Sequence, residues 1–82
     1  MPTYTGFVTA VYRYPVRGGF MRFEVATAPT PDGHATNIVT TIDPWTASAC
    51  QRALVQKLPV TLGTRDTKYG EEIVTATLPQ GE

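Results

Sequence analysis

The sequence predicts an all-β protein carrying one helix, with five strands closing into a barrel in the order β-β-β-α-β-β. Three observations predict it. The 82 residues are rich in Thr and aromatic side chains, which suit a half-wet pleated surface. Seven Pro and seven Gly cut the chain into runs of strand length. An Asp-Pro pair, Asp43-Pro44, opens a stretch of helical spacing between the third and fourth runs. A chain of this length is one domain, spanning 1–82, and buries only about 60–65% of its unfolded surface.

Tyr4–Tyr14 reads as the first strand. Gly6 within it marks a bulge or a close backbone approach. Val8 and Val11 are placed inward with Tyr12 or Tyr14 outward, but a bulge leaves the facing of both Tyr residues open. Pro15–Gly19 is the turn and Phe20–Ala28 the second strand. Met21, Phe23 and Val25 share the face read as core, and Phe20, Arg22 and Glu24 the other. In Pro29–Gly33, Pro31 presets φ and Gly33 takes the closing conformation. His34–Ile42 is the third strand, with Ile38 and Ile42 on the face of Thr36 and Thr40, and Val39 opposite.

Asp43 is the N-cap and Pro44 the first residue of a helix running to Lys57. Its stripe of Ala49, Cys50, Ala53, Leu54 and Lys57 is narrow and mostly small, so the helix lies close against the sheet or plugs one barrel end. Trp45 packs its N-terminus onto the barrel, and Leu58-Pro59 ends it. Val60–Arg65 is the fourth strand and Asp66–Gly70 a loop. Glu71–Leu78 is the fifth, with Ile73, Thr75 and Thr77 opposite Val74, Ala76 and Leu78. This order is the connectivity of the OB-fold. The competing SH3-like barrel rarely spends a helix of this length between those strands.

Several function classes fall away. Formal net charge is zero, against a protein that holds nucleic acid by charge alone, although Met1–Pro31 carries three Arg and one Glu. The single Cys50 forms no internal disulfide, and no targeting or membrane-spanning segment is evident. The chain reads as soluble and cytoplasmic. His34 has no second ligand at metal spacing, so no metal or other cofactor is expected. Glu71 and Glu72 are strand neighbours and point to opposite faces. Ser48 is the only Ser, and no phosphate loop or nucleophile elbow is present, so an enzyme is not expected.

A single-stranded nucleic-acid site needs cations along the phosphates and flat rings for the bases. Tyr12, Arg13, Tyr14, Arg17, Phe20 and Arg22 supply both in the first hairpin, and Arg65, Lys68 and Tyr69 in the last loop. These two loops rim the usual OB-fold binding face.

The residues also carry a family resemblance. Gly6-Phe7-Val8-Thr9, Arg13-Tyr14, Gly18-Gly19 and Phe23-Glu24-Val25-Ala26-Thr27 resemble the opening of bacterial and phage single-stranded-DNA-binding proteins. Asn37-Ile38-Val39 resembles their third strand, Ala47–Lys57 their helix, and Val60–Tyr69 their fourth strand and its loop. Primosomal replication protein N is similar too. The resemblance implies non-specific binding of single-stranded DNA, with RNA left open, by a homo-dimer or homo-tetramer. It implies a place in replication, recombination or mobile-element biology, with a replication or recombination protein as partner. The family's stacking Trp residues have no counterpart here. The rival reading is an OB-fold protein-interaction module, a phage- or plasmid-encoded assembly factor or inhibitor. Charge placement separates the two: Arg17, Arg22, Arg65 and Lys68 converge on one face in the first, and scatter around an apolar patch in the second.

Overall fold

A computed structural model describes residues 3–68 and 70–79. Five strands and one helix follow in order: β1 Thr3–Val16, β2 Phe20–Ala28, β3 Asn37–Thr41, α1 Pro44–Gln56, β4 Pro59–Thr67 and β5 Gly70–Thr77. The strands close into a barrel in the order β1-β2-β3-β5-β4. All neighbours are antiparallel except β3 and β5, whose parallel pairing at Thr40 and Glu72 closes the wall. This is an OB-like fold, mostly β with one helix, as the order of elements predicts.

Val25, Val39, Val60 and Leu62 are fully buried at the centre, with Val8, Cys50, Ala53 and Ile73 packed on them. The helix reaches this core through Ala47, Cys50 and Ala53, the narrow small-residue face that lets it lie close. Asp43 caps it, accepting hydrogen bonds from the Thr46 hydroxyl (2.6 Å) and backbone N–H (3.2 Å). Those bonds hold the Asp43 carboxyl below the usual carboxylate range. The helix stops one residue short of the expected Lys57, which adopts a left-handed C-cap (φ 56°) and donates its N–H to the carbonyls of Ala53 and Leu54. That cap, rather than Leu58-Pro59, ends the helix, and Pro59 already begins β4.

Alternation along the strands is interrupted twice. The β1 irregularity falls between Val8 and Ala10, not at Gly6. It turns both Val8 and Val11 toward the core. Gly6 is instead a close approach: a Cβ there would stand 3.0 Å from the Ala28 carbonyl oxygen. A second irregularity, between Gly63 and Thr64 against β5, brings Ile73 inward and then Ala76 and Leu78. Strict alternation after Ile73 therefore fails. Gly33 has no left-handed φ; a Cβ there would collide with the Thr30 hydroxyl at 2.7 Å. Its N–H closes the turn onto the Thr30 carbonyl at 3.2 Å.

The first hairpin outgrows the barrel. β1 pairs with β4 only from Thr3 to Phe7, and β3 reaches β2 only as far as Phe23. Beyond that, β1 and β2 continue as a two-stranded arm to the pair Val16–Phe20. Gly18 (φ 89°) and Gly19 (φ 82°) close the turn in conformations that disfavour other residues. Pro15 is tolerated because this stretch of β1 is an edge. The molecule measures 39 × 23 × 22 Å; the 14-residue β1 would span about 46 Å if straight at about 3.3 Å per residue, so it bends round the barrel before running out along the arm.

Two core expectations are corrected. Met21 is 40% exposed and Phe23 only half-buried, because among the described residues no third strand or helix covers the arm at Met21. Trp45 is 84% exposed rather than packed on the barrel. At 100° per residue it stands about 200° round the helix from Ala47, away from the docking face.

Candidate nucleic-acid interface

Paired residues across an antiparallel ribbon share a face, so the arm's register sorts its side chains. Val11 and Val25 point into the core and lie opposite one another. The same face therefore carries Arg13 with Phe23 and Pro15 with Met21. The outer face carries Tyr12 with Glu24, Tyr14 with Arg22, and Val16 with Phe20. Tyr12, Tyr14 and Phe20 are exposed by 52%, 45% and 62%, so three rings stand clear for stacking. Arg17 sits at the tip, exposed.

The structure thus brings Tyr12, Tyr14, Phe20 and Arg22 onto one surface, with Arg17 at its end. It places Arg13 on the opposite face. There Arg13 and Phe23 line a cleft of about 470 Å³ against α1, whose other walls include Ser48 and Gln51. Sequence reasoning gave no role to Phe23, Ser48 or Gln51 as site residues. The period-2 pattern already set Phe23 apart from Phe20, but only the register shows the helix across from it.

The last loop is reached from the arm round the barrel wall. β4 runs antiparallel to β1 and continues past Thr3, away from the tip of the arm. The β3–β5 pairing at Thr40 and Glu72 brings the flanks of the β4–β5 turn level with Tyr12 at the base of the arm. Lys68 is exposed in that turn, and Tyr69 lies outside the described residues. Arg65 is on the outer wall and donates from Nε (3.1 Å) and Nη2 (3.0 Å) to one carboxylate oxygen of Glu72. A lateral row follows from the pairings: Tyr12, Glu24, Thr40, Glu72, Arg65. Two carboxylates thus stand between the arm and Arg65. Glu71 faces the other way and accepts a hydrogen bond from the buried Thr64 hydroxyl. The two acids occupy opposite faces, as strand alternation requires.

Cys50 is fully buried, and burial pushes its thiol up to about 11, so it is a packing residue rather than a nucleophile. His34 is exposed beyond the start of the shortened β3. Among the described residues no group of His, Cys, Asp and Glu is arranged to hold a metal ion. No helix among the described residues is long and apolar enough to cross a membrane. The chain matches no protein-family model, no curated protein and no solved structure.

Proposed function

We propose that this chain binds single-stranded nucleic acid, DNA in the first instance, through the projecting arm. Bases stack on Tyr12, Tyr14 and Phe20, and Arg17 and Arg22 neutralise phosphates. Binding is non-catalytic and sequence-tolerant, in a cytoplasmic homo-dimer or homo-tetramer serving replication, recombination or mobile-element biology. The observation that supports this reading is the composition of the arm. Tyr12–Phe23 contains three Arg and no acid, and every residue from Tyr12 to Met21 is exposed.

The test is fluorescence anisotropy of a labelled oligothymidine at low and moderate salt. With about four phosphates neutralised, log affinity falls against log salt with a slope of roughly −3. A variant with Tyr14–Arg22 replaced by an Asn-Gly turn joins Arg13 to Phe23, which already face each other. It is expected to fold and to lose most binding. Undiminished, salt-dependent binding by that variant would sink the proposal.

One observation favours the rival protein-interaction reading: Trp45 (84%), Val55 (70%) and Ile42 (53%) are strongly exposed and belong to no stacking surface. A folded protein that binds no oligothymidine at low salt would leave that reading and turn the search to a protein partner.

A further inference from the structure

The cleft between the inner face of the arm and α1 has no role in the reading above, yet its walls carry a specific set of groups. Phe23 and Val11 come from the ribbon, Ser48 and Gln51 from the helix, and Arg13 from the arm. At about 470 Å³ it falls within the roughly 300–1,000 Å³ of ordinary ligand sites. Among the described residues, Arg13, Ser48 and Gln51 make no side-chain hydrogen bond or ion pair. None of the lining residues is acidic. The outer face, by contrast, carries Glu24 beside Tyr12.

We infer that this cleft is a second subsite that takes one nucleotide unit. The inference rests on the nucleic-acid reading and deepens it. The chemistry of the walls selects the occupant. A flat heterocycle fits against Phe23 and Val11. Its edge presents donors and acceptors, which the Gln51 amide can meet from both sides and the Ser48 hydroxyl from either. The phosphate of the same unit falls to Arg13, the one cation among the described lining residues. An acidic peptide would use Arg13 but leave the ring and the amide without a counterpart.

Access supports the same occupant. Among the described residues β1 has no strand partner on its outer edge beyond Phe7, and α1 packs against β1 from the inner side, where it forms the far wall of the cleft. A strand stacked on Tyr12 and Tyr14 can therefore bend over the β1 edge and seat its next nucleotide beside Phe23. Base-edge contacts at Gln51 would also give a mild base preference that stacking alone does not.

The test is an amide-proton NMR titration of the ¹⁵N-labelled protein with a short oligothymidine, following the Gln51 side-chain NH₂ and the backbone of Ala47–Gln51. The expected result is perturbation of these signals together with those of Tyr12, Tyr14 and Phe20. Gln51→Ala and Arg13→Gln, both at exposed positions, are expected to stay folded and to weaken binding about two- to tenfold each. Perturbation of the outer face alone, with both variants binding like the parent, overturns the cleft subsite and leaves the arm reading intact. No perturbation anywhere overturns both. Perturbation of the cleft alone keeps the subsite and overturns the outer face as the stacking surface.

Discussion

β1 and β2 are built twice over, once as barrel wall and once as arm, and the two halves obey different rules. In the wall, Val8, Val11 and Val25 have the helix and the far strands stacked against them, and one face of the ribbon is dry. In the arm the same alternation continues through Phe23 and Met21, but no described element lies over Met21, and both faces are wet from Tyr12 to Met21. Charge divides in the same way. The segment Tyr12–Phe23 holds three basic residues and no acid, while the rest of the chain holds four basic and seven acidic. A period-2 pattern therefore specifies a strand, but only a third layer makes one of its faces a core. The barrel carries the stability and the arm carries exposed chemistry, so each is open to change without the other.

The largest expected effect tests that separation. Leu62 is fully buried, and Leu62→Ala should cost about 2–5 kcal/mol, a large share of the roughly 5–15 kcal/mol of an ordinary domain. Phe20→Ala, at a position 62% exposed, should stay within about 0.5 kcal/mol of the parent. Urea denaturation reads both. If Phe20→Ala destabilises as Leu62→Ala does, the arm is part of the core and the comparison fails. On the binding side the order should invert: Phe20→Ala or Tyr14→Ala removes a stacking surface worth about 1–3 kcal/mol per base.

The barrel was largely legible in the sequence because its signals are local. Pro and Gly mark the turns, Asp43-Pro44 marks the helix start, and the element order restricts the topology. The second strand, Phe20–Ala28, was readable to the residue. What escaped depends on partners distant in sequence. Met21 follows the core period, yet β3 stops pairing at Phe23. Trp45 is the size of an anchor, yet the helix docks through Ala47, Cys50 and Ala53. The candidate site was legible as a composition and not as a surface. Arg13 differs from Arg22 only by a register that pairs Arg13 with Phe23 and turns it toward the helix. Nothing local announces that Arg65 meets Glu72 across β4 and β5.

Cys50 offers a smaller, kinetic version of the contrast. Its thiol is sealed beneath the helix and pushed up to about 11, so it should resist modification in the folded protein at mildly alkaline pH. Labelling then requires the barrel to open. Leu62→Ala should accelerate it, and replacing Tyr14–Arg22 by Asn-Gly should not. Rapid labelling of the native parent would mean that the helix does not seal the wall.

The smallest expected effect asks where the arm's surface ends. In the row Tyr12, Glu24, Thr40, Glu72, Arg65, the first carboxylate lies directly beside the Tyr12 ring. The second lies two strands further on. At about 4.8 Å per strand that is close to 10 Å, one Debye length at 0.1 M salt. Glu24→Gln removes a charge that repels any phosphate on the outer face, and should tighten oligothymidine binding about two- to fivefold at about 0.1 M salt. The gain should fade as salt rises. Glu72→Gln releases Arg65 from its exposed ion pair, which contributes at most about 1 kcal/mol to stability, so the fold should tolerate it. If the bound strand keeps to the arm, its effect on affinity should be the smaller of the two. An equal gain from both substitutions would carry the strand across the barrel wall to Arg65 and make the wall part of the interface. No gain from Glu24→Gln would place the strand on the inner face alone, where Arg13 stands in a lining without acids.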